Sequence, residues 1–181
     1  TPPASLSKGW DALLGGDKAP VQLPTTPLAL TIDAQPGDTT TTTTLTVDGP
    51  HIVSTLELPG DFDFFRVELT DGQLYNIGQY LVVGGPSGVP LSDAFVELYD
   101  ASGNLIVSAD GGGPNTPQGL DALLTYEAQY TGTYFINARG FDQDGTNGTN
   151  GDAVGDYEVF VETADPSDQN TYVPRYSPDQ P

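Results

Sequence analysis

Gly60-Asp61-Phe62-Asp63-Phe64-Phe65-Arg66-Val67-Glu68-Leu69 decides the fold of this chain. Phe65, Val67 and Leu69 alternate with Arg66 and Glu68. That two-residue period is the mark of a strand with one face in a core and one in water. Asp71-Gly72 follows as a tight hairpin signal, and Tyr75, Ile77 and Leu81 read as the returning strand. The same grammar repeats downstream. Residues 94–99 and 104–109 form a hairpin across Asp100-Ala101-Ser102-Gly103, and residues 121–128 and 132–139 flank a turn at Gln129 to Thr131. Residues 156–163 close the series with Tyr157, Val159 and Val161 facing inward.

Upstream, Ile52, Ser54, Leu56 and Leu58 share one face of a strand. The six-threonine run Thr39–Thr44, followed by Leu45 and Val47, reads as another, because β-branched residues favour extended backbone. Leu28, Leu30 and Ile32 begin the pattern. No helical period of useful length interrupts it. The expectation is an all-β chain: an antiparallel β-sandwich of jelly-roll type with about nine or ten strands over residues 28–163. Residues 1–27 read as a tail with five prolines and a short helix around Trp10, and residues 164–181 as a proline-punctuated linker or strap.

Charge narrows the partners. Five Lys and Arg face 25 Asp and Glu, a net charge of -20, over 181 residues. Nucleic acid and anionic membrane surfaces are repelled, and cations are attracted. No apolar run reaches the roughly 18 residues of a membrane-spanning helix, so no membrane insertion is expected. The chain has no Cys and no Met, and Thr1 does not read as a translation start. Acidity, few Lys and abundant Thr, Gly and Asp are the composition of a secreted, extracellular bacterial module.

Asp (19) outnumbers Glu (6). Short carboxylates serve both turns and calcium loops. The densest group is the loop Asp142, Asp144, Asn147 and Asp152, with Asp156 placed to close a calcium site at the start of the next strand. Position twelve from Asp142 is Ala153, which excludes a standard EF-hand loop; the competing reading is a solvated loop of Asn-Gly and Asp-Gly turns. A second group is Asp61 and Asp63 with Asp93, Asp110 and Asp121. Asp63 and Asp110 stand open between ion ligand and loop pin. Phe64, Tyr80, Tyr126, Tyr130, Phe141 and Phe160 are candidates for outward aromatic positions able to stack on sugar or grip a peptide.

Five blocks recur in one order: Gly60–Phe65, Asp93–Asp100, Asp110–Gly113, Gly132–Tyr134 and Gly155–Tyr157. In that order they resemble the bacterial pre-peptidase C-terminal domain, a non-catalytic β-sandwich of many secreted bacterial proteases. The resemblance spans roughly residues 28–163. It implies an accessory module acting in secretion, stability or substrate attachment beside an adjacent catalytic domain of the same polypeptide. One departure stands out. The Glu-Pro-Asn-type segment that helps hold calcium in related collagen-binding modules is replaced by Asp33-Ala34-Gln35-Pro36-Gly37-Asp38. The resemblance therefore does not carry that calcium site over.

Catalytic constellations are missing from the sequence. His51 is the only His, which excludes a two-histidine zinc motif, and there is no Gly-x-Ser-x-Gly elbow. Paired carboxylates for glycoside hydrolysis are outnumbered by ordinary acidic loops. The reading is a non-enzymatic module, calcium-stabilised, with extracellular protein or polysaccharide as further partners. The alternative is a free-standing carbohydrate- or cell-surface-binding sandwich.

Overall fold

The computed structural model describes residue 33 and residues 35–112, 119–141 and 153–165. Residues 1–27 and nearly all of 164–181, which carry the two expected tails, lie outside them. Eight strands run in order: β1 (Ile52–Leu56), β2 (Phe62–Leu69), β3 (Leu74–Leu81), β4 (Ala94–Tyr99), β5 (Leu105–Asp110), β6 (Ala122–Glu127), β7 (Gly132–Gly140) and β8 (Gly155–Thr163). They make two four-stranded antiparallel sheets, β1-β8-β3-β6 and β2-β7-β4-β5.

The inward face of each strand follows the period of two. Phe65, Val67, Leu69, Val96, Leu98, Tyr134 and Ile136 from one sheet meet Tyr75, Ile77, Leu124, Tyr157, Val159 and Val161 from the other. All are buried, and burial of apolar area on this scale is the main force holding the sheets together.

Eight strands among the described residues replace the nine or ten expected, and the threonine run accounts for part of the difference. Thr44 makes one isolated parallel bridge to Arg66, and Thr39–Thr43 form no strand. The cause is local hydrogen bonding. Asp38 Oδ1 accepts from Thr40 N (2.8 Å) and Thr40 Oγ1 (2.6 Å), and Thr41 Oγ1 accepts from Thr43 N (3.2 Å). Short polar side chains here outcompete the ladder for the backbone.

The connections also differ from the sequence reading. Asp71-Gly72 does not close a hairpin: β2 pairs with β7, while β3 pairs with β6 and β8. The turn before β7 likewise passes from one sheet to the other. Only β4 and β5 pair with their sequence neighbour. Passing from sheet to sheet at nearly every connection is the jelly-roll habit.

One close approach explains a glycine inside β3. A Cβ on Gly78 would stand 2.3 Å from the Phe160 ring. That ring packs edge-on against Tyr80 (4.9 Å) and stacks on His51 (4.4 Å). Gly78→Ala is expected to destabilise the fold by about 1–3 kcal/mol through overpacking, read from urea unfolding as a lower midpoint with an unchanged slope.

Candidate functional site

The turn from β1 to β2 carries the most unusual chemistry. Gly60 has a left-handed backbone (φ 83°), and Asp61 N donates to Leu58 O at 3.1 Å. The turn returns Asp61 to Glu57, whose amide donates to Asp61 Oδ2 at 2.8 Å. Asp63 lies in β2 on the inward row with Phe65 and is 0 % exposed. The segment before the threonine run lies alongside: Pro36 O accepts from Phe64 N at 3.0 Å. One carboxylate oxygen from each of Asp33, Asp61 and Asp63 lies within 4.8 Å of the others.

Asp63 joins the two sheets. Its Oδ2 accepts a hydrogen bond from the hydroxyl of Tyr157, on β8 of the opposite sheet. Its Oδ1 is buried with no hydrogen-bond partner among the described residues, and so is Glu57 Oε2. A buried carboxylate oxygen without a donor is costly unless a proton or a cation satisfies it. No described side-chain cation does so. Among the described residues the arginines are Arg66 and Arg139, engaged with Glu68 (2.6 Å) and Glu97 (3.2 Å), and the one His, His51, lies 3.3 Å from Glu158.

The protein therefore raises the affinity of this site for protons. Burial pushes Asp63 up to about 8 against the opposing bond from Tyr157, with Asp61, Glu57 and Asp33 adding repulsion. Burial, then its bond to and repulsion from Asp61, push Glu57 up to about 7. Buried Tyr157 is held well above its ordinary value. The donor set, hard oxygens from closely spaced carboxylates, is the chemistry calcium prefers. Asp33, Asp61 and Asp63 are the residues that would hold such an ion, with Glu57 bonded to Asp61 beside them.

The other expected ligands divide. Asp142, Asp144, Asn147 and Asp152 lie outside the described residues. Asp156 is fully buried, and its carboxylate is engaged internally. Its Oδ1 accepts from Thr55 Oγ1 (2.6 Å) and Ser87 N (2.8 Å), and its Oδ2 from Gly88 N (2.8 Å). Burial raises this acid, but those hydrogen bonds outweigh it and the net shift is downward. Asp156 thus pins the loop between β3 and β4. Asp110 stands exposed at the end of β5 and is not among the carboxylates that converge with Asp63; burial raises it and Arg139 opposes.

Sequence reasoning paired Asp61 with Asp63 but missed Glu57 and Asp33. Glu57 carried a faint signal, four residues before Asp61 across a Pro-Gly turn. Asp33 carried none. Of the aromatics expected to face outward, Tyr126 belongs to the core and Phe64 and Phe160 are buried, while Tyr130 is 36 % exposed.

Residues 61–140 match the bacterial pre-peptidase C-terminal domain. The resemblance read from the sequence holds over that segment, and the family is one of non-catalytic accessory domains. Among solved structures, the pre-peptidase C-terminal domain of a Bacillus anthracis collagenase is 15% identical. The similarity covers 66% of this chain and 92% of that one, with a TM-score of 0.43. PliG, a periplasmic inhibitor of g-type lysozyme from Aeromonas hydrophila, is also 15% identical, over 66% and 96% of the two chains, with a TM-score of 0.35. No curated protein matches the chain.

Two outcomes follow from the carboxylates. Asp156→Ala leaves the Ser87 and Gly88 amides without their acceptor and is expected to cost about 1.5–3 kcal/mol, with faster amide exchange confined to residues 82–91. For Asp63 and Glu57 the folded state holds protons more tightly than the unfolded chain. In chelator, stability is therefore full below about pH 4 as far as these two groups are concerned. It declines as pH rises through about 7 for Glu57 and about 8 for Asp63. Thermal unfolding across that range checks the slope, and Asp63→Asn should flatten it.

Proposed function

We propose that this chain is a non-catalytic accessory domain of a secreted bacterial hydrolase, a peptidase by family, in which calcium at Asp33, Asp61 and Asp63, with Glu57 beside Asp61, fastens the sandwich. The observation that carries the reading is the buried Asp63 Oδ1, without a hydrogen-bond partner among the described residues, in a group of three converging carboxylates that no described side-chain cation neutralises. Calcium would supply the missing positive charge. It would also tie the segment at Asp33 to the β1–β2 turn and, through Asp63 and Tyr157, to the opposite sheet. Asp33 thereby takes a place that its departure from the Glu-Pro-Asn pattern had argued against.

An accessory role is supported by the family match and by what surrounds the titratable groups. The one His sits between Glu158 and Glu162 and stacks on Phe160, with no described Ser, Thr or Tyr hydroxyl hydrogen-bonded to it. Asp63, though raised in pKa, faces the interior between the sheets and not a cleft. Such a module acts on the stability, export or substrate attachment of a neighbouring catalytic domain, outside the cell or in the periplasm.

Thermal unfolding with calcium and with chelator tests this. At a calcium concentration about a hundredfold above Kd the gain is about 2.7 kcal/mol. That corresponds to a rise of roughly 5–10 °C for a domain of this size. Asp63→Asn is expected to abolish the rise, whereas Asp156→Asn and Asp144→Asn retain it. An unchanged melting temperature in calcium, or a response lost only with Asp144→Asn, overturns the assignment to this cluster.

A further inference from the structure

A second feature, independent of the carboxylate cluster, lies at the β5 edge. β5 ends the sheet β2-β7-β4-β5, and among the described residues its outer side from Leu105 to Ala109 pairs with no strand. Past Asp110 the edge is closed, because Leu123 N donates to Gly111 O at 2.9 Å and Gly112 bridges Ala122. An open edge of this length is a template for one added strand.

A cavity of about 210 Å³ opens where that edge begins. Leu105 and Ile106 line it from β5, Tyr126, Gln129 and Tyr130 from the end of β6 and the turn after it, and Asp100 from the β4–β5 turn. At ~30 Å³ per water it holds roughly seven waters, enough for a large apolar side chain. Leu105 is 52 % exposed and Tyr130 36 %, and the two lie together at this cavity.

The chemistry of the lining selects the ligand. The Tyr130 ring stacks on Tyr134 at 4.4 Å, and its hydroxyl accepts from Ala101 N and donates to Thr133 O, both at 3.2 Å. It is a held, apolar plate. Asn104 Nδ2 is engaged by Asp100 Oδ2 (2.9 Å), and Gln129 Nε2 by Glu127 O (2.7 Å). Each of these amides keeps one further N–H and its oxygen, and beside them the longest row of hydrogen-bonding groups at the site is the outer backbone of β5. Asp100 and Asp110 mark the two ends of the strand, on a chain of net charge -20.

We infer that the β5 edge and its cavity bind an extended, positively charged peptide segment that inserts one apolar side chain between Leu105 and Tyr130. Main-chain pairing supplies the register, the cavity takes the anchor, and Asp100 and Asp110 favour Lys or Arg on either side of it.

The test is titration of the ¹⁵N-labelled 181-residue chain with Ac-Lys-Thr-Val-Leu-Val-Thr-Lys-NH₂, with the same peptide carrying Glu for both Lys, and with chitohexaose. The expected result is a saturable shift of the Leu105–Ala109 and Tyr126–Tyr130 amides with the lysine peptide alone, weakened by salt. Leu105→Asp, at a half-exposed position that leaves the other amides in place, should weaken it about tenfold or more. Three results overturn the inference. They are an unmoved β5 at about 1 mM lysine peptide, unsaturable shifts spread over the acidic surface, and chitohexaose moving the Tyr130 amide in place of the peptide.

Discussion

Everything near the β1–β2 turn depends on one contact, the Tyr157 hydroxyl bound to Asp63. It crosses the interior between the two sheets, where most of the remaining contacts are apolar and non-directional and the Tyr126–Tyr134 pair is another polar crossing. Burial of Phe65, Ile77 or Val159 rewards closeness of the sheets but not one particular offset. A hydrogen bond from a buried Tyr to a buried Asp does select an offset, because either partner left alone is a desolvated polar group. The same contact creates the site's demand. With one oxygen held by Tyr157, the other has no donor, and its neighbours are Asp33, Asp61 and Glu57.

The chain handles its negative charge in three distinct ways. Asp156 and Asp100 are satisfied by backbone amides and hydroxyls, which holds both below the usual carboxylate value despite burial. Glu97 is satisfied by Arg139, Asn137 and Tyr99 on the outer face of its sheet. The cluster around Asp63 has neither solution, and among the described residues it alone shows strong upward shifts in two acids. Acidic composition by itself therefore says little about where ions bind; the number of donors aimed at each carboxylate decides it.

Much of the fold was legible in the residues. The inward rows Phe65-Val67-Leu69 and Tyr157-Val159-Val161 follow from alternation alone, since a period of two leaves one arrangement that buries them. The β4–β5 hairpin was legible because Asp100 caps its own turn, with Asn104 N and Ser102 N on Oδ1. The connections around Asp71-Gly72 and Gln129–Thr131 were not. A turn signal states that the chain reverses, and both a hairpin and a passage to the facing sheet reverse it. Which occurs is settled by pairing with β7 and β8, strands more than 50 residues away. The threonine run failed for a different reason, since its propensity for strand lost to hydrogen bonds with Asp38.

The sequence by itself determined the class of fold, the faces of most strands, the surplus of carboxylates and the resemblance that residues 61–140 sustain. Those properties are local or compositional, and one-dimensional order carries them. Tertiary structure alone decided which carboxylates converge. Asp33 reaches Asp61 and Asp63, and Glu57 reaches Asp61, because β1 and β2 belong to opposite sheets joined by a tight turn, with Pro36 hydrogen-bonded to β2. It also decided that Asp156 is a pin for the β3–β4 loop, because its donors come from Thr55, Ser87 and Gly88. A carboxylate's role depends on the donors around it, and long-range strand pairing supplies them.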